Sequence, residues 1–595
     1  MTTYVAPTRD MLFAMSDLAG LAEIAALPGN DEVTPDLVEA ILDEAAKFAS
    51  EVLAPINAQG DRQGCQCKDG EVTTADGFKA AYSKFIESGW NAMPASPDFG
   101  GQGLPSLVST AVLEMWKASN MAFSLCQMLT LGAVAAIAHH GREQDKQLYL
   151  PKMVSGEWTG TMNLTESQAG SDLSAVRSKA QPEGDHYRIS GTKIFITWGE
   201  HDMAENIIHM VLARLPGAPE GTKGISLFVV PKFLVNADGS LGERNDLICA
   251  SIEHKMGIHG SPTAVMAFGE NEGAIGYLVG EANRGLACMF TMMNHARLNV
   301  GLEGVAISER AYQQALGYAR ERVQSSPIGS PGGAPVAIIR HPDVRRMLMN
   351  MKARIEAMRA LAYFTAAQMD KAHSHPDPGE RRKRQTITDL LTPVVKGWCT
   401  ENAIDITSTG IQVHGGVGFI EETGACQHMR DARITTIYEG TTGIQANDLI
   451  GRKVARDKGA AVKLLLDEMN ATLAALDAAG DKELRVIGKS LQGGTLALEQ
   501  ATEWLLANYD RNPASAAAGA VPYLKLCGTV MGGWLMARAA LVATTRLSTA
   551  DADFHRAKVV TARFYAEHVL PEAQAYRQAI VNGAGSVLAL EESLF

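Results

Sequence analysis

Hydrophobic spacing changes twice along the chain. In "TPDLVEAILDEAAKFASEVLAPI", Leu37, Ile41, Ala45 and Phe48 recur at intervals of three and four, and Thr34-Pro35 reads as a helix start, so a helical region is predicted over about 35–155. From about 160 to 280 the period falls toward two. "HYRISGTKIFIT", "NIIHMVLARL" and "GISLFVVPKF" read as strands between glycine- and proline-containing turns. From 284 helical spacing returns, with Val344, Leu348, Met351, Ile355, Met358 and Leu361 on one face, after a break at "SSPIGSPGGAP". A last stripe, Val462, Leu465, Leu466, Met469, Leu473 and Leu476, opens a further helical stretch. No internal repeat is evident. The predicted organisation is an N-terminal helical domain with an extension (1–159), a β domain (160–282), a helical bundle (283–458) and a C-terminal helical domain (459–595). The fold class is mainly α with a central β domain.

Composition narrows what such a chain does. Its 595 residues exceed one hydrophobic core. A net charge of −12 argues against nucleic acid as a partner, and "RRKR" at 381–384 reads as a solvated helix start after "HSHPDPGE". The opening residues lack a basic, then apolar, leader, and the apolar runs near 129–138 and 529–545 read as too short, or too charged at Arg538, for a membrane span. Eight cysteines without a spacing framework imply a reducing compartment, hence the cytoplasm. Cys65 and Cys67 form a C-x-C with no second pair nearby, so no metal site is expected.

Four segments carry candidate chemistry. "TMNLTESQAGSD" (161–172) offers hydroxyls and backbone N–H groups, suited equally to an anionic ligand and to a polar capping turn. "KIFITWG" (193–199) sets Phe195 and Thr197 at alternate strand positions, an aromatic beside a hydroxyl, though ordinary sheet packing gives the same pattern. "QVHGGVGF" (412–419) joins Gln412 to glycines that permit close backbone approach, without the βαβ context of a dinucleotide fingerprint. In "RITTIYEGTTGIQ" (433–445), Glu439 stands beside Gly440 among β-branched residues that suit neither helix nor strand.

Taken in order, "GGQGL", "NLTESQAGSD", "GTKIFIT" and "MRDARITTIYEGTTGIQ" resemble the acyl-CoA dehydrogenase family of flavoproteins over roughly 35–455. The length and the opening "YVAPTRDMLF" resemble a long bacterial branch of that family, which includes 3-methylmercaptopropionyl-CoA dehydrogenases and, as the alternative reading, dehydrogenases of straight medium- and long-chain acyl-CoAs. The resemblance implies an α–β–α fold with an extra C-terminal helical domain, FAD as cofactor and an acyl-CoA thioester as substrate. It further implies an electron-transfer flavoprotein as acceptor and a dimer in which the C-terminal domain replaces contacts made by a second dimer in tetrameric members. Leu164 and Thr165 match positions at the flavin pyrimidine, Ser171 the pyrophosphate, and Phe195 and Thr197 the ring, where many members carry Trp in place of Phe195. Arg322, Gln324, Gln412 and Gly416 match a cross-subunit cofactor site, although "RVQSSPIGSPGGAP" lacks the phenylalanine that usually follows the arginine. Thr441 matches a further contact beside the catalytic glutamate.

By its place in "YEGTT", Glu439 matches the family's base. The reaction removes an α-proton to a carboxylate and a β-hydride to flavin N5. A thioester α-C–H is a poor acid, so the enolate oxygen needs preorganised donors and the carboxylate needs raised basicity. Ala296 stands where some members place the base on a helix and cannot serve, while His295 and His414 read as packing or pocket residues. An acyl-CoA oxidase shares these features, and a flavoprotein scaffold would have no need of Glu439.

Overall fold

A computed structural model describes residues 4–595. Helix α1 (Pro35–Phe48) starts as expected, with the Thr34 hydroxyl accepting from the Leu37 N–H at 3.2 Å. Its buried face is displaced by one residue. Val38, Leu42 and Ala45 are buried, whereas Leu37 is exposed and Ile41 and Phe48 only half-buried. Two stripes one residue apart compete there, and the inner one runs on into buried Ala49 and Leu53. Phe48 flanks it and meets the Trp116 ring edge-on at 5.3 Å. Helices α2 (Ser106–Ser119), α3 (Met121–His140) and α4 (Glu143–Ser155) follow.

The strands of the main sheet are β1 (Trp158–Asn163), β2 (Lys179–Glu183), β3 (His186–Thr197), β4 (Asn206–Arg214), β5 (Ile225–Pro231), β6 (Leu247–Ile252), β7 (Thr263–Phe268) and β8 (Ala274–Val279). They form one eight-stranded sheet ordered β6-β7-β3-β8-β5-β4-β1, with β2 paired to β3 and β4. The long helices α5 (Gly285–Glu321), α6 (Pro342–Ser374) and α7 (Pro378–His414) come next, then short α8 (Thr442–Asn447). The chain ends in α9 (Ala460–Ala478), α10 (Lys482–Asn508), α11 (Ala520–Thr545), α12 (Ala552–His568) and shorter helices.

Two compact units result. One comprises Lys47–Leu104 and Met115–Asn299, the other Met1–Ala46, Pro105–Glu114 and Val300–Phe595. In the unit that holds the sheet, Ile189, Ile196, Val211, Phe228 and Met266 form the β core. Helix α3 packs on β1 where Gly160 makes room, since a Cβ there would lie 2.5 Å from that of Ala133.

The reading of apolar stretches as too short for a membrane span needs correction. Two helices, α3 and α11, are long and apolar enough by length and composition. Their apolar windows are 89% and 83% buried within the protein, and a helix apolar all round is what a core position demands.

In the other unit, glycine contacts bring the bundle helices together. A Cβ at Gly304 of α5 would lie 2.6 Å from the Cys399 carbonyl oxygen of α7, and one at Gly528 of α11 would lie 2.1 Å from the Trp398 ring. The C-terminal helices thus lie directly on the bundle. Arg359, 2% exposed on its side chain, binds Glu114 at 2.6 Å, Asp10 at 2.6 Å and Glu309 at 2.8 Å. Lys558 of α12 adds Asp10 and Glu356. Removing any member would strand buried charge, so the network enforces one arrangement of these segments.

Candidate active site

The site residues fall into two groups, one in each unit. In the first, the loop 164–166 is laid along β3. Ile194 N–H donates to the Thr165 carbonyl at 2.9 Å, and Lys193 Nζ donates to the Leu164 carbonyl at 3.1 Å. Glu166, 5% exposed, anchors the loop. It accepts from Lys193 Nζ at 2.8 Å, the Ser178 hydroxyl at 2.6 Å, and the N–H groups of Arg177 at 2.7 Å and Ser178 at 3.0 Å. Burial pushes its pKa up, but the Lys193 charge and these donors outweigh burial and hold it down at about 2. Burial draws Lys193 down, against the pull of Glu166.

Strand β3 is not regular at Phe195. The β7 register slips between Ala264 and Met266, which face Ile196 and Lys193, so two residues of β3 oppose one. Phe195 takes φ +60°, strained for an aromatic residue, and the residue is 59% exposed. Alternation alone therefore does not set the presentation of Phe195 and Thr197; the bulge turns the aromatic outward. Leu164 is buried, Thr165 and Thr197 half-buried, and Ser171 exposed. Among the described residues, none accepts from or donates to the hydroxyls of Thr165, Ser171 or Thr197. An open aromatic face beside unused hydroxyls fits a planar heteroaromatic group with a polar edge.

The second group centres on Glu439. The chain runs through a 3-10 turn (Arg433–Thr436), and Glu439 at φ +56° and Gly440 at φ +88° then reverse it before Thr441 caps α8, accepting from Ile444 N–H at 3.3 Å. Successive left-handed residues explain why the segment suits neither helix nor strand. The backbone is held from below. Gln445, fully buried, donates to the carbonyls of Glu439 at 2.9 Å and Gly440 at 3.2 Å. Lys396 of α7, also fully buried, donates to Gly440 O at 2.8 Å, and Tyr438 bonds Glu303 of α5. A Cβ at Gly440 would fall 2.8 Å from Gln445 Nε2, so glycine is required for space as well as for φ.

Arg322 and Gln324 lie beyond the end of α5, exposed and bonded to each other at 3.3 Å. The loop after them closes on itself, Val323 bridging to Ala337. Gln412 and Gly416 are exposed at the end of α7, where Gly415 terminates the helix at φ +64°. The His414 ring stacks on Tyr318 at 4.7 Å, which brings the ends of α5 and α7 together. His414 donates Nδ1–H to the Gly410 carbonyl and burial lowers its pKa, so it packs. Burial, with the nearby Lys117 charge, drives His295 to about 4 and keeps it neutral. Among the described residues, no cluster of three or more His, Cys, Asp or Glu is arranged for a metal ion.

Lys396 and Gln445 were not singled out by sequence pattern. Gln445 stood inside the "YEGTTGIQ" segment, and Lys396 was a lone cation in the apolar run "LTPVVKGWC", a position that demands a buried acceptor.

Four consecutive segments match sequence profiles of one family. They are described as acyl-CoA dehydrogenase N-terminal domain (35–157), middle domain (161–270) and C-terminal domain (283–454), and acetyl-CoA dehydrogenase C-terminal like (465–591). The chain is 47% identical to the 3-methylmercaptopropionyl-CoA dehydrogenase of Ruegeria pomeroyi, over 98% of this chain and 99% of that one. It is 37% identical to a butyryl-CoA dehydrogenase of Syntrophomonas wolfei, over 100% and 99%. An acyl-CoA dehydrogenase from Bacillus anthracis solved with FAD shares the fold, with a TM-score of 0.73 at 21% identity, over 96% of this chain and 91% of that one. Full-length identity to two dehydrogenases, matching profiles from residue 35 to 591 and the shared α–β–α architecture agree: this chain belongs to the acyl-CoA dehydrogenase family.

Proposed function

We propose that the protein is an FAD-dependent acyl-CoA dehydrogenase that converts a short acyl-CoA thioester to its trans-2-enoyl product, with Glu439 as the base. The observation that carries this reading is the Glu439–Gly440 reversal, a strained carboxylate-bearing loop whose carbonyls are tied down by two buried donors. Such an arrangement holds a base at a substrate α-carbon more firmly than a solvated loop does. Bound FAD supplies the acceptor for the β-hydride. Leu164, Thr165, Phe195 and Thr197 hold the flavin end and Ser171 its pyrophosphate. Arg322, Gln324, Gln412, Gly416 and Thr441 complete the cofactor site, the first four toward a second subunit of a dimer. The Glu439 carboxylate takes the α-proton, and its own N–H serves as a donor to the thioester oxygen, where negative charge develops.

The full-length likeness to the Ruegeria enzyme supports 3-methylmercaptopropionyl-CoA as substrate. The butyryl-CoA relative supports a second reading, a short straight-chain thioester. One methylene is worth only about 1–3 kcal/mol of discrimination, so the two overlap. An electron-transfer flavoprotein in the cytoplasm would take up the electrons that bound FAD receives.

The test is anaerobic titration of FAD-loaded protein with butyryl-, longer straight-chain and 3-methylmercaptopropionyl-CoA, following oxidised-flavin absorbance. Bleaching by the short thioesters, with little oxygen uptake in air, is expected. Bleaching by none of them would overturn the dehydrogenase reading, and rapid oxygen consumption would make the protein an oxidase.

A further inference from the structure

Within the bundle unit, the N-terminal segment, α6, α7, α9 and α11 line an open pocket of about 290 Å³ that the dehydrogenase reading does not use. Three cations line it: Lys371 of α6, Arg384 of α7 and Arg538 of α11. Two carboxylates, Glu23 and Glu468, also line it, leaving an excess of one positive charge. Their pairing is uneven. Glu23 takes Lys371 at 2.5 Å from a side chain that is 71% exposed. Arg384 bonds Gln368 at 3.1 Å and Glu380 at 3.2 Å and lies 3.9 Å from Glu468, while its Nε is buried without an acceptor.

Arg538 has neither a hydrogen bond nor an ion pair to any described residue. Its guanidinium lies over the Trp534 ring at 5.3 Å and near the Phe364 ring at 6.0 Å. Trp534 is itself fixed by donating to the Thr472 hydroxyl at 2.8 Å. Burial lowers the Arg538 pKa more than Glu468 and Glu23 restore it, which marks a cation short of compensation. Aromatic faces support a planar fork but supply no acceptor. The partner that satisfies a guanidinium fork is a carboxylate or phosphate, which it binds through two parallel N–H donors.

We propose that this pocket is a binding site for a small carboxylate or phosphate anion, gripped by Arg538 and Arg384. Ligand pockets typically run from about 300 Å³ upward, so a compact anion fits and a coenzyme A body does not. Because the lining comes from residues 18–23, the bundle and the C-terminal helices, a bound anion fastens all three. The occupied protein is then stabilised in proportion to the logarithm of anion concentration above Kd.

The test uses the full FAD-loaded chain at constant ionic strength, with sodium chloride making up the balance. Inorganic phosphate forms one arm and succinate the other, followed by titration calorimetry and thermal unfolding. A saturable heat and a rising Tm in at least one arm are expected, and the arm that saturates identifies the anion class. Arg538→Gln should raise the half-saturation concentration at least tenfold. Glu23→Gln should lower it, because that change frees Lys371 and removes a repelling carboxylate. A merely structural Arg538 would depress Tm without changing its dependence on anion. No saturation in either arm overturns the proposal, and so does saturation that neither substitution alters. Should Arg538→Gln not fold, Arg384→Gln and Glu23→Gln must still move the half-saturation in opposite directions.

Discussion

Glu166 and Glu439 stand in two of the four segments that carry the family resemblance, and the protein is seen to hold the carboxylate of the first and the backbone of the second. Around Glu166 the carboxylate accepts from Lys193, the Ser178 hydroxyl, the Gln168 amide and two backbone N–H groups. Around Glu439 the buried donors Gln445 and Lys396 go to backbone carbonyls. The first arrangement fixes an ionised carboxylate with little affinity for a proton, which makes it a structural anchor. The second fixes the backbone that carries the carboxylate, which is the positioning a general base needs.

The largest test of this contrast is Glu439→Gln. Turnover should fall about 100- to 10,000-fold, the usual contribution of a general base, while FAD absorbance and Tm stay near wild type. Stopped-flow flavin reduction checks it, and undiminished reduction would remove Glu439 from the chemistry. The matching change at the anchor is Lys193→Met, which leaves Glu166 buried without its cation. A loss of about 3–5 kcal/mol in stability is expected. Denaturant unfolding that shows less than about 1 kcal/mol would mean that the backbone donors alone suffice.

These two groups were unequally legible in the sequence. Periodicity located the strands β3, β4 and β5 and the long helices, because one-face burial writes itself into spacing. It misjudged the face of α1, since spacing does not choose between two adjacent stripes that both hold apolar residues. It set α3 and α11 aside as too short, or too charged at Arg538, because only their most apolar cores were counted, whereas burial on all sides made the whole helices apolar. The Glu439 segment was recognisable as irregular from Gly440 and its threonines. Its supports were not, because Lys396 lies 43 residues before Glu439 in the chain and reaches the adjacent Gly440 carbonyl from α7. The bulge at Phe195 was likewise hidden, since register depends on β7 as much as on β3.

A smaller effect separates positioning from chemistry. Gln445→Leu removes both hydrogen bonds to the loop and leaves the base itself intact. A fall of about tenfold in kcat is expected, equivalent to about 1.4 kcal/mol, with KM changed less than kcat. A stability loss with unchanged kcat would make Gln445 a packing residue only.

The smallest effect is read from pH. The pKa of Glu166 lies near 2 in the folded chain, against an ordinary value of 4.5. A carboxyl group depressed on folding contributes stability that is fully present above about pH 4.5 and is lost as pH falls toward 2. Many surface carboxylates titrate in the same window, so the wild-type curve alone does not isolate this one. The difference between wild type and Glu166→Gln does, because the other groups cancel. That difference should be greatest near pH 6 and shrink steadily below pH 4.5 in urea unfolding at pH 6, 4 and 3. A difference that stays constant across the three would mean that the variant loses packing around the 164–166 loop rather than a charge held there by Lys193.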